Sequence, residues 1–230
     1  MGILTEAEHA RIADAIRDAE SRTAGEIFAV LAASSDSYRF IPLLWAALAT
    51  LFAGIAAAFL YPLVEGFLAA PPPGGEWLAQ AQDYWGEGLD ARTLAAGQIV
   101  LFLSLALLAS LPGLRPWLIP GFVRRQRAER HAMQQFLSHN LHGTSQRTGI
   151  LIFVSLAERY AAVIADEGIN AKVDQAVWDE LVERLIADIR AGDIAEGLLA
   201  AVASCGDILA EHVPASRGNP NELPDNLVEL

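Results

Sequence analysis

The sequence predicts an α/β protein: a small mixed-sheet αβα sandwich interrupted by a two-helix transmembrane hairpin. Three observations carry this. Two apolar segments without a charge, 41–61 and 94–114, are each 21 residues long. The chain on either side of them shows the 3.6-residue apolar repeat of amphipathic helices. Short runs at 26–32, 149–155 and 159–165 have the β-branched and aromatic content of strands.

Composition agrees with a lipid environment. The 230 residues are 53% hydrophobic and 19% charged, with a mean hydropathy of +0.31, whereas an ordinary soluble domain is about 25% charged. Such hydrophobicity excludes a disordered chain. The formal charge of −12 argues against a sequence-independent grip on nucleic acid, which needs clustered Lys and Arg over much of a surface. A single cysteine, Cys205, excludes an intrachain disulfide and a multi-cysteine metal cage. It lies in an apolar run, so an inert buried thiol is expected.

Thr5 and Glu8 form a capping box, in which each side chain satisfies a backbone N–H of the other, and Ile12, Ala15, Ile16 and Ala19 then share one helical face. Gly25 stops this helix of roughly 17 residues, and EIFAVLA follows as a buried strand.

Next comes the first span. At about 1.5 Å per residue it covers roughly 31 Å, the thickness of a hydrocarbon core. The second span holds Gln98, Ser104 and Ser110 as its only side-chain hydrogen bonders, with Pro112 near its exit. Trp45, Tyr61 and Trp117 stand near the ends of the spans, as rings at headgroup depth do. Buried core helices are the alternative, but such helices seldom lack a polar face over this length. A cleavable leader is not expected, since the first apolar stretch follows a charged amphipathic segment, and Glu6 stands where myristoylation wants Ser or Thr.

Orientation follows from cations flanking the spans. The loop 62–93 holds only Arg92 against Glu65, Glu76, Asp83, Glu87 and Asp90. The other side carries Arg39, Arg115, Arg124, Arg125, Arg127 and Arg130. Both termini are therefore expected in the cytoplasm and the loop outside, held against the membrane by Trp77, Tyr84 and Trp85. The run RRQRAER reads as a topology determinant with some attraction to anionic lipid, or as a specific lipid or nucleic-acid site.

Beyond the hairpin, 124–141 is helical in pattern, with Gly143 as its stop. GILIFVS and RYAAVIA follow as a strand pair. Val173, Val177, Leu181 and Leu185 step by four along a long helix, Gly192 breaks it, and a further helix runs to about 213. The ending, 214–230, contains prolines and scattered polar residues and is expected to be mobile. The domain is thus expected in two parts, 1–40 and 119–213, with the hairpin at 41–118 between them.

The block TGILIFVSLAERYAAVIADEGI, then Trp178 in a long helix, then IRAGDIAEGLLAAV, resembles the TPM-domain family, whose members include thylakoid-lumen proteins of photosystem II repair. The positions carrying the resemblance are Val154, Ser155, Arg159, Gly168, Arg190, Gly192, Asp193, Gly197 and Leu198, with Gly25-Glu26-Ile27 at the first strand. The resemblance implies an αβα sandwich, and for some relatives a weak acid phosphatase activity and calcium binding. The chain departs from the better-known members in its transmembrane hairpin and in a cytoplasmic rather than lumenal domain.

Asp166 and Glu167 follow a strand end, with Asp174 nearby. Carboxylates converging there could hold Ca²⁺ or Mg²⁺ through oxygen ligands; a solvated turn with acids at a helix start is the simpler reading. His131, His139 and His142 invite a metal, but His131 and His142 would stand roughly 16 Å apart along one helix, so surface histidines are expected. Glu26 and Arg159 could pair across the sheet or line a pocket. Ser155 lacks a nucleophile elbow, and no P-loop or H-E-x-x-H occurs. Together these features predict a membrane protein whose TPM-like domain is a binding or assembly module with an unknown protein partner and no nucleic acid, the alternative being a weak divalent-metal-dependent acid phosphatase.

Overall fold

The computed structural model describes residues 2–68, 91–111, 114, 118–144, 146–215 and 223–230. Pro112, Arg115, Trp117 and the loop aromatics Trp77, Tyr84 and Trp85 lie outside the described residues, as does the side chain of Tyr61. The chain forms two compact units, one made of the residues up to Ser37 together with Gly121–Leu230, the other of Tyr38–Pro120.

In the first unit, helix α1 (Glu6–Ser21) opens with the predicted capping box: the Thr5 hydroxyl accepts from the Glu8 amide at 3.3 Å, and the Glu8 carboxylate accepts from the Thr5 amide at 2.7 Å. The helix is capped at Arg22, before Gly25. Gly25 serves packing instead, because a Cβ there would stand 2.5 Å from Leu209 Cδ2. Strand β1 (Glu26–Ala32) follows, and all seven of its residues are buried.

After the second unit come α4 (Gly121–Ser138), a 3₁₀ turn at Leu141–Gly143, β2 (Gly149–Ser155), β3 (Tyr160–Ala165), the short α5 (Glu167–Asn170), α6 (Gln175–Ala191), α7 (Ile194–His212) and β4 (Leu227–Glu229). The sheet order is β3-β2-β1-β4, with β1 parallel to β2 and β4, and β2 antiparallel to β3. Alternate side chains of β1 explain why the run carries no polar face. Ile27, Ala29 and Leu31 pack with Ile12 and Ile16 of α1, Leu185 of α6 and Leu198, Val202 and Leu209 of α7. Phe28, Val30 and Ala32 pack with Ala132 and Phe136 of α4 on the opposite face. A strand covered on both sides reads as continuous apolar sequence, and helices on both faces make the predicted αβα sandwich.

Gly192 ends α6 in the left-handed region at φ 95°, the conformation that favours glycine at a helix terminus. The chain ending departs from expectation. Residues 223–230, read from sequence as part of a mobile tail, dock as the edge strand β4 beside β1. Their hold comes from long-range partners invisible to composition: the Leu230 amide donates to Leu31 O at 3.0 Å, and the Ala33 amide to Leu230 O at 2.8 Å.

The second unit contains α2 (Phe40–Leu68) and α3 (Ala91–Ala109). Within them Phe40–Leu60 and Arg92–Ala109 are long and apolar enough to cross a membrane, and only 11% and 0% of their respective residues are buried. They are therefore not core helices. Thr50, Ser104 and Ser110 each donate their hydroxyl to the carbonyl four residues earlier, at 2.8, 2.8 and 2.6 Å, which is how a hydroxyl is satisfied without leaving an apolar helix. Trp45 donates from its indole to Leu118 O at 2.9 Å.

Candidate functional site

Strand ends are where an αβα sheet leaves polar groups free to meet. At the carboxyl ends of β1 and β2, one carboxylate gathers the connections. Glu158 Oε2 accepts from the Ser35 amide at 3.1 Å and from the Ser155 hydroxyl, while Oε1 accepts from the Ser34 hydroxyl at 3.2 Å. Ser35 and Ser155 also share a hydrogen bond between hydroxyls at 2.8 Å. Arg127 of α4 reaches Asp36 at 3.3 Å. Ser155 is fully buried, and its proton is held by a carboxylate already bound to two other donors. Such a hydroxyl stabilises the turn more than it attacks a substrate. Ser34, Ser35 and Glu158 carry no motif of their own in the sequence; the legible signal is the polar Ser-Ser-Asp at 34–36, separated from the end of β1 by one residue.

At the other end of the sheet, the Asp166 amide donates to Gly149 O at 2.9 Å, joining β3 to β2. Asp166 is 5% exposed and caps α5, accepting from the Glu167 amide at 2.7 Å. Arg147 bridges both acids, 3.4 Å from Asp166 Oδ1 and 2.6 Å from Glu167 Oε2. A Cβ on Gly168 would stand 2.5 Å from Arg147 O, so glycine is what lets this turn pack against the 146–147 segment. The second oxygen, Asp166 Oδ2, is buried with no hydrogen-bond partner. A buried acceptor left unpaired costs about 1–3 kcal/mol, which makes it a candidate ligand atom among the described residues.

The structure brings Asp166 and Glu167 together on one guanidinium but keeps Asp174 apart. Asp174 is exposed and caps α6, accepting from the Ala176 amide at 3.3 Å. Among the described residues no three His, Cys, Asp or Glu side chains gather as ligands of one ion would. Arg147 already supplies the positive charge that a cation would bring to Asp166 and Glu167.

Glu26 and Arg159, expected as a possible pair, stand at opposite ends of the sheet. The register pairs Glu26 with Gly149 and Ala32 with Ser155, and β3 runs antiparallel from Tyr160 opposite Ser155. Six residues of strand separate the two levels, roughly 20 Å. The sequence placed both at the starts of strands; only the strand directions show that these starts face opposite ways. Glu26 is 3% exposed, accepts from the Leu223 amide at 3.3 Å, and lies by Glu20 and Asp225. Burial pushes the Glu20 carboxyl up to about 8, with Glu26 and Asp225 adding to the rise against the Ile27 amide.

The histidines divide. His142 is exposed, as expected, whereas His131 and His139 are half-buried. The His139 ring lies 4.2 Å from that of Phe28, and the His131 ring meets Phe153 edge-on at 5.4 Å. Both serve the core beneath α4. Cys205 is fully buried, and burial pushes its thiol up to about 12, as an inert thiol requires.

Comparison with known proteins agrees with this architecture. Residues 119–208 match the family described as the TPM domain. No curated protein matches the chain. Among solved structures, the chain is similar to the NMR structure of the BA42 protein from the psychrophilic bacterium Bizionia argentinensis, with 20% identity, a TM-score of 0.55, and coverage of 99% of this chain and 96% of that one. At that identity the likeness is one of fold. The match begins just before α4 and takes in the strand pair, α6 and most of α7, so that over residues 119–208 the chain is similar to the TPM-domain family.

Proposed function

We propose that the protein is a two-span plasma-membrane protein whose TPM domain works at the cytoplasmic face as a binding or assembly module for a membrane or cytoplasmic protein. The observation that carries this reading is the outward face of the apolar helices. Phe59 is 77% and Leu107 73% exposed, and a bilayer covers such side chains where water penalises them. The cation count around the spans supports cytoplasmic termini. The three donors from Ser34, Ser35 and Ser155 tie Glu158 into the adjoining turns, which supports a structural role for that carboxylate.

Alkaline carbonate extraction and thiol labelling test it. Retention in the pellet, with Ala79→Cys labelled from outside intact cells and Ser216→Cys protected, is the expected result. Extraction, or the reverse labelling, overturns it. The native Cys205 is fully buried and adds little background.

Asp166 Oδ2 favours a second reading, a weak divalent-metal-dependent acid phosphatase using Asp166 and Glu167, without Asp174, with Ca²⁺ or Mg²⁺. Hydrolysis of a phosphomonoester by the detergent-purified chain, stimulated by metal, abolished by chelator and lost in Asp166→Asn, would establish it. Equal negligible rates in all samples would remove it.

A further inference from the structure

The chain is acidic as a whole, yet one helix start is basic. Over Gly121–Arg130, arginines at 124, 125, 127 and 130 face a single acid, Glu129. Two of them have acidic partners: Arg125 pairs with the exposed Glu129 at 2.9 Å, and Arg127 with the half-buried Asp36 at 3.3 Å. Surface ion pairs contribute little and exchange readily. Arg130 is exposed with no acidic partner among the described residues, and Arg124 keeps a buried Nε with no acceptor. Phe122, in the first turn, is 73% exposed. It stands three residues before Arg125, so ring and guanidinium share a side of the helix.

An apolar ring flanked by arginines fits the boundary between acyl chains and headgroups, where aromatic rings settle and basic side chains reach upward to phosphate. Chain length permits this as well. Arg124 follows Ala109, the last residue of the second apolar span, by 15 residues, a reach of at most about 50 Å. A bulk acidic or nucleic-acid partner would leave the exposed Phe122 unexplained, whereas an acyl-chain boundary covers it.

We propose that the first turns of α4 form a docking surface for anionic lipid headgroups, with Phe122 at the apolar boundary and Arg124, Arg125, Arg127 and Arg130 directed to phosphate oxygens. This rests on the membrane reading above and names the lipid class that its cytoplasmic domain meets.

The test uses the full chain in mixed micelles holding equal phosphatidylglycerol and phosphatidylcholine, with bound lipid counted by mass spectrometry. Each basic residue near an anionic surface strengthens binding about fivefold. The wild type should therefore retain phosphatidylglycerol over phosphatidylcholine severalfold. Arg124→Gln/Arg130→Gln should bring the ratio toward one, while Arg124→Lys/Arg130→Lys, which keeps the charge, should preserve it and so exclude a merely structural loss. Phe122→Gln should lower total retained phosphatidylglycerol. An unselective wild type, or equal ratios in the wild type and the Gln variant, overturns the proposal. Loss of selectivity in millimolar inorganic phosphate assigns the arginines to a free anion, and displacement of the lipid by a short oligonucleotide assigns them to nucleic acid; either result also overturns it. A chain released by carbonate yet still selective would remove the anchoring reading alone. One retained but unselective would remove this proposal alone.

Discussion

Glu229 lies 2.9 Å from His9, Oε1 to Nε2, so the last strand of the domain is tied to its first helix. The same carboxylate accepts from the Ile3 and Leu4 amides at 2.9 and 2.8 Å. Burial alone would raise its pKa, but the two amides and His9 together bring it below the ordinary carboxylate value.

Glu229→Gln should therefore loosen β4. Hydrogen bonds to a charged group contribute about 1.5–3 kcal/mol each, and a loss of 1–2 kcal/mol in total is expected, since Gln keeps one acceptor. A group with a lowered folded pKa stabilises above its unfolded value and loses that contribution as pH falls through the folded one. Wild-type melting temperature should fall on acidification below about pH 4.5, and the variant should show a shallower fall.

Glu20 carries the opposite slope. Its pKa is raised from 4.5 to about 8, so the folded state holds a proton that the unfolded chain has released. The associated stability is complete below 4.5 and drains away as pH rises to about 8. Glu20→Gln, which still accepts from the Ile27 amide as Glu20 does at 2.8 Å, should flatten melting temperature against pH over that interval and exceed the wild type at its upper end. An unchanged slope would place Glu20 in solvent.

Gly206 fixes how closely α7 approaches α1. A Cβ there would stand 2.6 Å from Ala19 Cβ, and overpacking of this kind costs about 1–3 kcal/mol. Gly206→Ala should lower the denaturation midpoint accordingly, and Gly206→Val by more. A neutral Gly206→Ala would mean that the two helices separate without penalty.

Arg159 occupies the left-handed region at φ 52°, where a side chain costs roughly 1–2 kcal/mol relative to glycine's freedom. Arg159→Gly should raise stability by up to about 1 kcal/mol. A clear drop in a denaturant melt would show that its guanidinium is in use.

Much of this molecule is set by local pattern. The capping box at Thr5 and Glu8, the stop at Gly192, the strand segments and the two apolar helices follow from periodicity, turn chemistry and hydrophobic length, which act between residues close in sequence. The remaining features depend on partners far apart in the chain. Strand direction set Glu26 and Arg159 at opposite ends of the sheet. A free edge on β1 turned a polar ending into β4, clipped by Glu229 to residues more than two hundred positions away. Burial raised Glu20, and the folding of two turns onto one carboxylate made Glu158 a hub. Sequence pattern registers the apolar face that each element must hide, because burial repeats with the local helical or strand period. Which polar groups then meet depends on how the hidden faces stack, and that arrangement has no period to read.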